Sequence, residues 1–573
     1  MDSDGLTERV AAAVQAGVDY LHRRQRDDGG WTDRLSSSAI PTSMATVVLA
    51  RSDQAGYRRQ IDAGLSWLRE HQRVDGGWSQ SDADDPSDTA ATGFAVAALK
   101  TLDPDGSATC LDRAAKYLAA NGGESALVAD VRTWRELVAI LWVLVGLRDV
   151  QEVPRQPMEA TLLPARVRNR ASIALPGVVS LGIWQSRALH WSWPRRIARR
   201  LAEPKGLAWL RGLQGPNGGI EECQLMAGFV FMGLEMAGPG IGEDIQRGCR
   251  NYLLSTQRPD GSWATDRDLE IAVSAYAVLA LAELGDVAAE PRLRSTRDWL
   301  LSTQWRRPFE PLQQPAGGWS WAVPSGWPES EDTAVVLAVL SLLGVPHHDP
   351  ALRLGVRWLL SRQNRNGSWS EWVLNSTQTF DAPCPGVTAH AVMALHRYGA
   401  RGRAGRRPPI DRALRYLEKA QQPDGSFASL WFRDSTHGTS KVLEAYAELG
   451  RLTDPVAVQA REWLLSNQRP DGAWPAKVVE GPPEGGTAEE TGWAAYSLLR
   501  AGQDPSDDHV VQAVRWLVDQ QDGAGTWAPS AVGLYYPTMF YSSDLIAHTY
   551  ALRALGRWLR SVDGHSGKDD RSG

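Results

Sequence analysis

In six copies of one repeated unit, a helix, a glutamine, a glycine-rich turn and then an aromatic, the glutamine is followed six residues later by a tryptophan: Gln25/Trp31, Gln72/Trp78, Gln257/Trp263, Gln363/Trp369, Gln468/Trp474 and Gln521/Trp527. Two more copies end in another apolar residue, Ile220 after Gln214 and Phe427 after Gln421, and a stretched copy joins Gln304 to Trp319. Nine copies with one dominant offset are a repeat, and a repeat restricts the chain to stacked units. Before each Gln the apolar residues fall at helical spacing, as in WLLSRQ. Asp-Gly or Gly-Gly then ends the helix and turns the chain. A second helix follows, such as TAATGFAVAALK. The Gln amide can bond the end of a neighbouring helix and the Trp can stack on it. Gln and Trp of the repeat are therefore read as staples and not as catalysts. Helix pairs of roughly 45–60 residues stack into a solenoid or close into an α/α barrel.

The repeat explains why the chain carries 25 Trp but only 8 Phe. At 573 residues it is long enough for two domains. The division expected is an N-terminal helix, 1–29, packed on the C-terminal barrel, then barrels over 30–285 and 286–560, then a disordered tail, 561–573. A net charge of −6 argues against nucleic acid as a partner. The four cysteines, Cys110, Cys223, Cys249 and Cys384, are too scattered for a metal site or a disulfide framework. The acidic N-terminus lacks the apolar run of a secretory signal, and no stretch is long enough to cross a bilayer. A cytoplasmic protein is expected. Between Trp78 and Gln214 the repeat fades into VPRQPMEATLLPARVRNRASIALPGVVSLGIWQ, basic at Arg166, Arg168 and Arg170 and apolar from Leu175 to Trp184. That pattern suits a surface touching a membrane or a lipid, though a buried connection fits it equally.

One stretch departs from the staple logic. GGWSWAVPSGWPESEDTAVV places Glu329, Glu331 and Asp332 within four residues, after Trp319, Trp321 and Trp327 and before an apolar helix. Carboxylates this close raise one another's pKa when buried, so one stays protonated near neutral pH, the condition for an acid catalyst. The competing reading is a helix N-terminus, with Asp332-Thr333 as the cap.

With these residues together, the chain resembles the squalene-hopene cyclase family of class II terpene cyclases over nearly its whole length. The Gln–Trp repeats match that family's stapling motif, and VPRQPMEATLLP is similar to its proline-rich segment before a membrane-facing helix. PESEDTAVV matches the family's Asp-x-Asp-Asp-Thr-Ala stretch, so the resemblance assigns the proton donor to Glu331, flanked by Glu329 and Asp332. GVTAHAVMAL resembles the segment holding the acid's histidine partner, which makes His390 that residue. SFASLWFRDSTHGT and YYPTMFYSSDLIAH resemble cavity walls. Trp321, Trp327, Trp431, His437, Tyr536 and Phe540 are the substrate-facing residues so implied. The resemblance implies two α/α barrel domains, β and γ, in an all-α protein. It implies cyclisation of a linear, squalene-like polyprene with no cofactor, and peripheral membrane contact by a monomer or homodimer.

The chain departs from that pattern. The motif reads Glu-Ser-Glu-Asp, the aspartate four before the histidine is Gly386, and the aspartate of the preceding repeat is replaced in IAVSAY by Ala272. Prenyl diphosphates therefore stand as alternative substrates, with Mg²⁺ implied only for them, and a non-catalytic isoprenoid carrier as an alternative function. A protein prenyltransferase β-like subunit would need a zinc site of Asp, Cys and His, and no suitable cluster is present. Asp82-Ala83-Asp84-Asp85 matches the acid motif literally but sits six residues after Trp78 in an earlier repeat. It is read as a solvated turn.

Overall fold

The computed structural model describes residues 3–82, 86–123, 135–168, 175–399, 408–475, 485–535 and 539–569. Apart from the two three-residue strands Gly533–Tyr535 and Met539–Tyr541, paired antiparallel, its regular elements are helices. Six of them, Glu270–Leu281, Ser330–Leu342, Pro385–Arg397, Thr436–Glu448, Ala488–Arg500 and Asp544–Asp569, each pack on the next, and the last packs on the first. They close an inner ring. Their residues are buried nearly all round, as in Thr436–Tyr446 and Ala488–Leu499. The helices between them form the outer ring and bury one stripe only: Pro409–Ala420 buries Pro409, Ala413, Leu414 and Leu417 and turns charged residues to solvent. The N-terminal helix Ser3–Arg24 packs against Asp508–Gln520 and Asp544–Asp569, in the outer ring of this barrel.

A second core lies among the helices from Ala39–Asp53 to Glu243–Thr256. The boundary falls earlier than the 285/286 division read from the repeats. Ile271, Ala272 and Val273 already belong to the core of the C-terminal barrel, because Glu270–Leu281 closes its inner ring. The stretch 561–573, read as a disordered tail, continues the helix Asp544–Asp569 as far as residue 569. Extending a helix anchored by buried Leu552, Leu555 and Trp558 needs no new nucleus.

The staples act as hydrogen bonds. Each Gln Nε2 donates to the glycine carbonyl closing its own turn and to a carbonyl of another outer helix. Gln363, for example, reaches Gly367 O at 2.8 Å and Pro409 O at 2.9 Å, and Gln521 reaches Gly525 O at 3.1 Å and Ala13 O at 2.9 Å. Each Trp indole N–H donates back to its own outer helix, Trp369 to Leu359 O at 2.8 Å. In six of these seven tryptophans the backbone N–H donates to a hydroxyl of an inner helix, Trp319 to Thr333 at 2.9 Å and Trp369 to Thr388 at 3.1 Å. The turn needs glycine. Gly367 has φ +101°, and a Cβ there would stand 2.3 Å from the Arg412 carbonyl oxygen. Gln363→Ala leaves two carbonyls without their donor, a loss of about 1–3 kcal/mol. It is expected to lower the melting temperature by about 2–6 °C, read by calorimetry, with unchanged turnover per folded molecule.

Candidate active site

The staple that starts each inner helix also places the chemistry. Thr333 holds Ser330–Leu342 to the Trp319 turn, so Glu331 and Asp332 lie in the helix's first turn. The N-cap is Glu329, not Asp332, and its side chain makes no capping bond. The acidic residues of this helix start face inward. Glu329, Glu331 and Asp332 all line one cavity, of the apolar, aromatic-lined kind that holds small molecules. The other lining side chains are mostly aromatic: Tyr276, Trp321, Trp372, Trp431, Phe432, Tyr535 and Tyr541. None of the described lining residues is Lys or Arg.

All three carboxyls are buried. Burial, and after it Asp332 and Glu371, holds the Glu329 carboxyl well above the usual range; burial also pushes Asp332 up to about 7. The two carboxyls act on each other, so they titrate together. The helix N-terminus favours the ionised form of any carboxyl in its first turn. His390, two residues past the staple hydroxyl of Thr388, brings Nδ1 to 3.0 Å from Glu331 Oε1. The contact suits an ion pair, but the atoms are not aligned for a hydrogen bond, and neither has another partner.

The other expected residues divide. Trp321 and Trp431 line the cavity. Trp327 does not; it is buried against Phe309, at 5.9 Å between ring centroids. Phe540 is likewise outside the lining. Side chains alternate along a strand, so Tyr541 faces the cavity while Phe540 lies under the Arg433 guanidinium, 4.1 Å from the ring centroid. His437 stands behind His390, 6.3 Å away between rings, bonded through Nδ1 to Ser429. Burial, Lys441 and His390 drive its pKa well down. Tyr536 lies outside the described residues.

Trp372, Tyr535, Tyr541, Tyr276 and Glu371 were not foreseen. A signal existed for one of them: Trp372 follows the stapling Trp369 by three residues, as Trp321 follows Trp319 by two. In the literal Asp82–Asp85 motif, Asp82 bonds the Ser37 backbone at 3.0 Å and nearby Asp88 caps Thr89–Leu102; residues 83–85 lie outside the described set. Among the described residues no group of three or more His, Cys, Asp or Glu is placed to hold a metal ion.

Two α/α barrels with buried carboxylates opening on an aromatic cavity define the architecture of class II terpene cyclases. The chain matches the squalene-hopene cyclase C-terminal domain over residues 270–560 and the N-terminal domain over 14–172, with a prenyltransferase alpha-alpha toroid domain over 198–310. It belongs to the squalene-hopene cyclase family. The squalene-hopene cyclase of Alicyclobacillus acidocaldarius is 26% identical over 96% of this chain and 98% of that one. That of Bradyrhizobium diazoefficiens is 29% identical over 46% of this chain, which spans 44% of its length. The solved ent-copalyl diphosphate synthase from Streptomyces platensis superposes with a TM-score of 0.56 at 20% identity, covering 96% of this chain and 99% of that one.

Proposed function

We propose that this protein cyclises an uncharged linear polyprene by protonating a terminal alkene. The carrying observation is the inward-facing Glu329, Glu331 and Asp332 in a cavity walled mostly by aromatic rings. A carrier would have no use for an acid aimed at its cargo. Glu331 gives its proton to one alkene carbon; the π pair forms the C–H bond and leaves a tertiary cation and a carboxylate. The next alkene's π electrons then form a C–C bond and pass the cation on. A final loss of a proton restores charge balance. Each passing cation can sit against Trp321, Trp372, Trp431, Tyr535 or Tyr541 through the ring quadrupole, at roughly 0.5–2 kcal/mol per ring. The lack of Lys or Arg among the described lining residues supports a hydrocarbon over a diphosphate, which needs cations to hold it. Incubation with squalene, shorter polyprene hydrocarbons and prenyl diphosphates, followed by mass-spectrometric product analysis, tests this. Cyclic products from diphosphates alone would overturn the substrate class, and none from any would overturn the reaction.

Such a substrate resides in membranes, and the surface offers a contact for one. The expected segment, Leu175 to Trp184, is not it: Val179, Leu181, Ile183 and Trp184 are core residues, because that helix packs on Gln224–Met236. The following helix, Trp193–Leu213, instead exposes Trp193 (68%), Ile197 (42%) and Leu201 (59%) at four-residue spacing, among Arg195, Arg196 and Arg200. An apolar stripe with a basic border fits an anionic bilayer surface. Among the described residues no helix is long and apolar enough to cross a membrane. A variant with Trp193→Asp, Ile197→Asp and Leu201→Asp is expected to stay in the soluble fraction when wild type floats with anionic vesicles. Equal flotation of the two would rule this surface out.

A further inference from the structure

Glu371 stands where the repeat requires no carboxylate. It follows the stapling Trp369 by two residues and is fully buried. Its two oxygens serve two different repeats. Oε2 accepts the backbone N–H of Glu331 at 3.0 Å, and Oε1 accepts the indole N–H of Trp431 at 2.8 Å. Trp431 lines the cavity, edge-on to Trp372 at 5.2 Å and stacked near Tyr535 at 6.1 Å between centroids. The indole nitrogens of the other two cavity tryptophans, Trp321 and Trp372, have no hydrogen-bond partner. One carboxyl group thus joins the first turn carrying the acid to one selected aromatic ring.

We propose that Glu371 is a positioning residue for cyclisation. It fixes the helix start bearing Glu331 relative to Trp431 and, by accepting the indole N–H, makes the Trp431 ring the face that best receives positive charge. This rests on the cyclase reading above. An acceptor on an indole N–H moves electron density into the ring, which strengthens the attraction of its face for a cation. The two bonds also set the distance between where charge is created and where it is first held, and small misplacements at a reacting centre are costly. No proton moves to or from Glu371 in this role. Accepting one N–H on each oxygen suits the ionised carboxylate; burial and the nearby Glu331 charge raise its pKa well above the usual range, while the bonds from Glu331 and Trp431 lower it.

Glu371→Gln tests it. The amide keeps the shape but has one acceptor atom, so it serves only one of the two N–H donors. Turnover of the polyprene is expected to fall about tenfold, with a larger share of incompletely cyclised products. Trp431→Phe keeps a ring and removes the N–H; it should shift products the same way, and the double variant should be no worse than Trp431→Phe alone. In protein labelled with ¹⁵N at the indoles, the resonance lost in Trp431→Phe should move upfield in Glu371→Gln. Additive product shifts, an unmoved indole resonance, or a loss confined to melting temperature would each overturn the role of Glu371. Failure of the wild type to convert any polyprene would instead remove the cyclase reading.

Discussion

Glu331→Gln is expected to abolish conversion of the polyprene, by at least about 10³-fold, while the melting temperature and binding of a non-reactive analogue stay near wild type. Gln preserves the shape and a hydrogen-bonding amide but has no acidic proton. Glu331 lines the cavity at a helix N-terminus, with His390 Nδ1 at 3.0 Å. Glu331→Asp shortens the reach by one methylene and should retain partial activity with altered products. Asp84→Asn, in the literal motif of the first barrel, should leave turnover unchanged. Activity retained in Glu331→Gln and lost in Asp84→Asn would move the acid site to the first barrel.

Asp332→Asn is expected to raise the melting temperature at pH 8 by several degrees while lowering turnover severely. Burial raises the folded-state pKa of Asp332 from 3.8 to about 7. A carboxyl raised in this way binds more protons folded than unfolded between those values. Stability therefore falls as pH rises from about 4 to about 7, and the loss is complete above 7. That interval corresponds to at most about 4 kcal/mol. Asn carries no charge and escapes the loss, so the advantage of the variant should shrink as melts are moved from pH 8 to pH 5. Glu329 acts on Asp332, and the two titrate as a unit. The wild-type rate should fall through the same region on the alkaline side, since the ionised cluster has no proton to give. A variant no more stable than wild type at pH 8 would mean that Asp332 is not held protonated. Function here is maintained against stability, as at many active sites.

Much of this was legible because repetition amplifies a local signal. Gln363 and Trp369 read as staples since the same spacing recurs where no chemistry is wanted, and each makes the bonds its type allows. Glu331 stood out because three carboxylates before an apolar helix break the repeat. Phe540 was misread because a strand face is decided by pairing, and a shift of one residue exchanges it for Tyr541. For the apolar run Leu175 to Trp184 the sequence left a membrane-touching surface and a buried connection equally open, because composition does not say which apolar segment other helices will cover.

By itself the sequence determined the repeat unit, the all-helical class, the two-barrel scale and the turn carrying three carboxylates, because each depends on residues within one or two units of chain. The tertiary structure alone decided which rings line the cavity with the three carboxylates, that Glu371 ties Glu331 to Trp431 across repeats, and that Trp193, Ile197 and Leu201 form the exposed stripe. Those outcomes depend on closing a ring of six inner helices and on what covers each face. Contacts between residues 40 to 60 positions apart are set by packing, which local spacing does not encode.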